Sequence, residues 1–158
     1  MTSPHERLRE LGLALPKPPA PAASYVQTRQ LPLGNGQALL YVAGQVSADG
    51  DTLLTGRCPN EVPVEEATRR ARFCGLRILA QMEAAVGLDN VAGMMQLIGF
   101  VLSTDDFGDQ PKVINGASDL LLEVLGDAGK HTRAALGTSA LPFSVTVEIA
   151  AVAVVRTG

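Results

Sequence analysis

Tryptophan is absent from this 158-residue chain, and aromatic residues make up only 4% of it. Surfaces that hold single-stranded nucleic acid stack bases on aromatic rings along a basic groove. Neither ingredient is abundant here, because 13 Lys and Arg are outweighed by 16 Asp and Glu, giving a net charge of −3. No nucleic-acid partner is therefore expected. The two cysteines, Cys58 and Cys74, and the two histidines, His5 and His131, are too few and too scattered for a zinc motif, so no metal site is expected. Cys74 falls on an apolar helical stripe and reads as a small buried hydrophobe. No GxSxG, P-loop or GxGxxG pattern occurs, which removes the usual signatures of nucleophilic hydrolases and nucleotide binders. The N-terminus, Met-Thr-Ser-Pro-His-Glu-Arg, lacks the apolar segment of a signal peptide, and no apolar run is long enough to span a bilayer. The expectation is a cytoplasmic protein with no membrane partner.

The informative stretch is the last one. From Val145 the odd positions read Val, Val, Ile, Ala, Ala, Val, and the even positions from Thr146 read Thr, Glu, Ala, Val, Val. Both faces are apolar, which predicts a strand covered on both sides. Glu148 is the exception. A carboxylate in such a strand is costly unless paired, and Arg133 is the nearest plausible partner in sequence.

The rest of the chain supplies alternating strands and helices. Ser3-Pro4 opens a short helix through Leu15, and Pro16 to Ala23 holds four prolines and reads as an extended tether. Residues 1–23 thus form an arm, and residues 24–158 a single domain. Tyr25 to Leu31 and Gln37 to Val46 are strand candidates joined by Gly34-Asn35-Gly36. Asp49-Gly50 marks a turn leading into Thr52 to Thr55. A helix begins at Val64, with Ala67, Ala71, Cys74, Ile78, Met82 and Ala85 on one face and Gly87 as its stop. Arg69, Arg70, Arg72 and Arg77 lie off that stripe and read as a solvated face. Met94 to Leu102 is a strand. Asp109-Gln110-Pro111 opens a second helix that ends at Gly126 or Gly129, and Asp105 and Asp106 read as turn residues. The order is ββαβαββ with a short helix in front, an α+β fold in which a mixed sheet carries two long helices on one face. Two helices cannot cover both faces of the terminal strand, so another subunit is expected on the second face.

Arg133, Leu141-Pro142 and Val147-Glu148-Ile149, at this spacing, resemble the C-terminal signature of the RidA (YjgF, or L-PSP) family. Tyr25-Val26-Gln27, Gly44-Gln45 and Asn115 are similar to further motifs of that family. The resemblance runs from about Tyr25 to Val155. The leading helix and the longer Phe107–Lys112 approach look like a divergent branch whose members carry an endoribonuclease label. Two departures stand out: Ala43 where the family commonly has a serine, and Ala135 where it often has a cysteine.

The resemblance implies a chorismate-mutase-like fold and a barrel-like homotrimer with pockets between subunits. It also implies cofactor-free hydrolysis of reactive 2-imino or 2-enamino acids to 2-oxo acids and ammonia. On that reading Arg133 clamps a small metabolite's carboxylate with its planar fork. Glu148 activates water and shuttles protons. Backbone around Gly44 holds the water, Tyr25 from the neighbouring subunit walls the pocket, and Asn115 hydrogen-bonds near it. Other readings stay open. Arg133 and Glu148 form a structural ion pair, Tyr25 is a packed aromatic, and Asn115 is a helix cap. The fold then serves as a non-catalytic module that binds small acids, or as the endoribonuclease of the family label.

Overall fold

A computed structural model describes residues 2–158 of the chain. Helix α1 spans Pro4–Glu10. Ser3 and Glu6 start it with a reciprocal capping box: Glu6 N–H donates to Ser3 Oγ at 3.2 Å and Ser3 N–H to Glu6 Oε2 at 2.7 Å. It stops short of the expected Leu15 because Gly12 takes a φ of +67°. Leu13 N–H then bonds the Leu8 carbonyl and Gly12 N–H the Arg9 carbonyl, the Schellman pattern that closes a helix.

Strands β1 (Thr28–Gly34) and β2 (Gln37–Val46) form the expected hairpin, with Asn35 and Gly36 both at positive φ. β1 starts at Thr28 rather than Tyr25. Tyr25 and Val26 lie exposed in a bend, and Tyr25 N–H bonds back to the Ala23 carbonyl. A small second hairpin, β3 (Ala48–Asp49) and β4 (Thr52–Leu53), follows. Then come α2 (Val64–Val86), β5 (Val91–Leu102), α3 (Gln110–Leu125), β6 (Thr132–Thr138) and β7 (Val147–Arg156). Gly87 and Gly126, both at positive φ, terminate the two long helices.

The five-stranded sheet runs β1-β2-β7-β5-β6, with β5 and β6 parallel and the other pairs antiparallel. This is the expected mixed α+β architecture with α2 and α3 on one face. Val147, Ile149, Ala151, Ala153 and Val155 of β7 point toward the helices and are buried, and Cys74 of α2 donates its thiol to the Val147 carbonyl. Ala150, Val152 and Val154 occupy the opposite face, where Tyr41, the cross-strand partner of Val152, and Leu136 stand about half exposed. The chain thus covers one face of its central strand and leaves the other, apolar face without cover of its own. Among the described residues no helix is long and apolar enough to cross a membrane.

The helices approach each other closely at Gly116 of α3, where a Cβ would overlap the backbone carbonyl of Thr68 in α2. Nothing flexible can give way at that contact, so Gly116→Ala should cost about 1–3 kcal/mol by forcing the helices apart. Urea unfolding checks this, and a loss below about 0.5 kcal/mol would show that the helix interface opens freely.

Candidate functional site

The sheet is irregular where the candidate residues lie. β2 and β7 pair regularly down to Val42 opposite Ala151, but the next pair is Gln45 opposite Ile149. β2 therefore carries one extra residue at Ala43-Gly44, a bulge that re-aims the strand. Beside it lies a cavity of about 690 Å³ whose lining includes Tyr25, Gly44, Gln45, Arg77, Phe143 and Glu148. Three of the five candidate residues, Tyr25, Gly44 and Glu148, therefore share one hollow.

Each wall has a local cause. A Cβ on Gly44 would overlap the Glu148 carboxylate, so glycine at the bulge lets that carboxylate lie against the β2 backbone. The N-terminal arm, expected as a tether, is a wall instead. Gln81 Nε2 of α2 donates to the Pro19 carbonyl at 3.0 Å and Gln27 Nε2 to the Ala20 carbonyl at 3.1 Å. Tyr25 is held by the same arm, its hydroxyl accepting from Ala22 N–H at 3.4 Å. Phe143, at a φ of +57° and 63% exposed, forms part of the rim.

Glu148 has neither an ion-pair nor a hydrogen-bond partner among the described residues. Burial pushes its carboxyl above the usual carboxylate range, and no neighbouring cation offsets the effect. A carboxyl in that condition can hold or release a proton closer to neutrality than an exposed one.

Arg133 is elsewhere. It stands opposite Leu97 of β5, while Glu148 stands opposite Phe100. Those β5 positions are of opposite parity, so the two side chains leave the sheet on opposite faces. Arg133 turns toward α3, donating from Nη1 to Ser118 Oγ at 3.0 Å and from Nη2 to the Pro111 carbonyl at 3.1 Å. The expected partnership with Glu148, including the structural ion pair, does not form within the chain. Adjacent strands fix which residues oppose one another, and β5 lies between these two.

Arg133 shares a shallow groove with Asn115, Ser118 and His131. Asn115 lies inside α3 rather than at its N-cap, which Asp109 occupies. His131 Nδ1 is 2.6 Å from the Gly129 carbonyl and Nε2 is 2.9 Å from Ser118 Oγ. A carbonyl only accepts, so Nδ1 carries a proton, and in the corresponding neutral tautomer Nε2 accepts a hydrogen bond from the Ser118 hydroxyl. Ser118 Oγ keeps a lone pair for Arg133. The backbone thus orients the imidazole, the imidazole the hydroxyl, and the hydroxyl the guanidinium.

The profile of the family described as "YjgF/chorismate mutase-like, putative endoribonuclease" matches residues 5–153, a span that takes in both groups of candidate residues. The chain belongs to that family. It is similar to Protein TCP17 of Trypanosoma cruzi, 40% identical over 145 residues, covering 90% of this chain and 88% of that one. The crystal structure of Atu1372 from Agrobacterium tumefaciens, a protein of unknown function, is 40% identical with a TM-score of 0.84, covering 97% of this chain and 94% of that one. An endoribonuclease-labelled structure from Shewanella oneidensis is 29% identical with a TM-score of 0.86, covering 96% and 98%.

In this YjgF-family chain, sequence reasoning missed Arg77, Gln45 and Gln27. Gln27 and Gln45 belong to the family motifs Tyr25-Val26-Gln27 and Gly44-Gln45 but were given no role of their own, although that membership was the available signal. Arg77 carried none, because a helical arginine off the apolar stripe looks solvated. In fact Arg77 is half-buried on the cavity wall, and Arg70 reaches the Thr55 carbonyl at 2.6 Å and Thr146 Oγ1 at 2.8 Å. Among the described residues no cluster of side chains is suited to a metal ion.

The unpaired state of Glu148 is testable through pH. The folded carboxyl keeps its proton to a higher pH than the unfolded one, so the folded state loses stability as pH rises above 4.5, the ordinary value. Glu148→Gln does not titrate. The wild type should therefore lose stability relative to Glu148→Gln between that pH and neutrality, with the gap closing below it. Parallel curves in thermal melts would mean that the carboxylate has acquired a cation in the assembled protein.

Proposed function

We propose that the protein is a cofactor-free hydrolase of small 2-imino or 2-enamino acids, yielding 2-oxo acids and ammonia at sites completed between copies of the chain. The observation that carries this reading is the division of the candidate residues. One chain offers a hollow with an unpaired, desolvated Glu148, and on the opposite sheet face a pre-oriented guanidinium, Arg133, beside Asn115. Neither half is a site alone. The uncovered apolar face supplies a reason for copies to associate, and a homotrimer is the assembly this reading adopts.

In the joined site Arg133 of one copy holds the substrate carboxylate through two parallel hydrogen bonds. Glu148 of the other takes a proton from water as the water oxygen bonds to C2 of the C=N group. That proton passes to the imine nitrogen to give the carbinolamine, which collapses as its hydroxyl proton moves to the amino nitrogen, the C2=O bond forms, the C–N bond breaks and ammonia leaves. Tyr25 and the arm narrow the hollow to small molecules. Family membership supports hydrolase-type chemistry in general terms. The endoribonuclease label fits this chain poorly, because the net charge is −3 and the candidate hollow has one tyrosine and one phenylalanine in its lining.

The test is 2-iminobutyrate hydrolysis. Glu148→Gln should lower kcat by about 10²–10⁴-fold. Arg133→Lys keeps charge but loses the fork, and should raise KM by about 10–150-fold, the equivalent of roughly 1.5–3 kcal/mol. An intact assembly that turns over no imino acid would sink the proposal.

The assembly needs its own test. Val147 faces the chain's own helices, so a charge there would disrupt folding. Val152 faces the uncovered side, and Val152→Asp should convert the oligomer to a folded monomer on a sizing column. An oligomer unchanged by Val152→Asp would rule this face out as the interface.

A further inference from the structure

Two buried side-chain atoms among the described residues lack any hydrogen-bond partner: Gln45 Oε1 and Arg77 Nε. Both residues line the cavity that holds Glu148. Buried polar atoms are nearly always satisfied, so two orphans on side chains that border one hollow point to an occupant. The orphans also specify its chemistry. Gln45 cannot flip to satisfy itself, because its Nε2 already donates to Gln27 Oε1 at 2.8 Å and to the Ala43 carbonyl at 3.0 Å. Gln27 is fixed in turn by its own donation to the Ala20 carbonyl. Gln45 Oε1 therefore needs a donor, and Arg77 Nε needs an acceptor.

Arg77 asks for more than a neutral acceptor. Its guanidinium is half-removed from water, and burial pulls its pKa below the usual arginine value. Its remaining contact is a backbone one, Nη1 donating to the Gly50 carbonyl at 3.3 Å. Asp51, exposed on the cavity lining, is near enough to favour the positive charge but makes no ion pair with it. The fully buried Cys74 thiol is the other titratable neighbour, and burial keeps it neutral. A desolvated cation without a counter-ion is costly, and an anionic oxygen removes that cost.

We propose that Arg77 binds a carboxylate in this cavity. Resting on the functional reading above, in which Arg133 of a neighbouring copy holds a first carboxylate, this makes the substrate class a dicarboxylic 2-imino acid. Arg77 takes the distal carboxylate, and the substrate nitrogen supplies the N–H that Gln45 Oε1 lacks. Glu148 stands with them in the same lining.

The experiment is calorimetric titration of the full-length protein with succinate, butyrate and inorganic phosphate at matched ionic strength. Succinate and butyrate have the same carbon count and differ by one carboxylate. Succinate should bind at least about tenfold more tightly than butyrate, the equivalent of about 1.4 kcal/mol. Arg77→Gln should bring succinate down to the level of butyrate. Equal wild-type affinities, or phosphate binding more tightly than succinate, overturn the assignment. If Arg77→Gln does not fold, the wild-type ratio alone decides. The two readings fail separately. Turnover of 2-iminobutyrate without a succinate preference removes Arg77 and keeps the hydrolase. An Arg77-dependent succinate preference, with no turnover of 2-iminosuccinate or 2-iminobutyrate, removes the hydrolase and keeps the carboxylate site.

Discussion

A strand in the middle of a sheet has two faces, and a chain of this size can bury only one of them with its own helices. That constraint falls on β7. Its helix-facing row, Val147 to Val155 by twos, packs under α2 and α3, and the glycine at 116 lets those helices draw together into a single cover. Its other row is nearly as apolar and faces away from every helix in the chain. Burial of one face stabilises the fold, while the exposed one carries an unspent hydrophobic driving force of the kind that holds subunits together. The candidate chemistry is arranged around this asymmetry. Glu148 interrupts the open row at the end where the sheet bulges, and Arg133 leaves by the covered side at the far edge strand.

The bulge at Ala43-Gly44 has the largest local effect. Without the extra residue β2 would continue its register against β7, and Gln45 would fall on the same face as Glu148. With it, Gln45 turns inward to a nearly buried position, Gly44 accommodates the carboxylate, and the ladder with β1 stops. One inserted residue thus separates a polar amide from an acid and opens the hollow that both border.

Much of the architecture was legible because its causes are local. Gly87, Pro111 and Gly126 punctuate the long helices through capping and φ preferences that act within a turn. Asn35-Gly36 sets its hairpin in the same way. The terminal strand was readable from alternation alone. What escaped depends on contacts distant in sequence. The relative faces of Arg133 and Glu148 follow from their shared neighbour β5, whose register neither strand encodes by itself. Arg77 looks solvated on a helical wheel and is covered only because the arm and the small β3–β4 hairpin border the same cavity. The early end of α1 turned on Gly12, whose left-handed conformation could have been suspected from its identity.

Leu8, Leu13 and Leu15 anchor the start of the arm on the core, but where the arm borders the cavity it is held through its main chain. Gln81 and Gln27 grip the carbonyls of Pro19 and Ala20, and prolines keep the segment extended, so the exposed alanines there are not needed for attachment. Anchorage and surface texture are therefore decoupled in this wall. Alanines there can be exchanged for larger, polar or charged residues while the backbone grip persists. The hollow can be reshaped over evolutionary time, or by a protein engineer, without repacking the core that supports it.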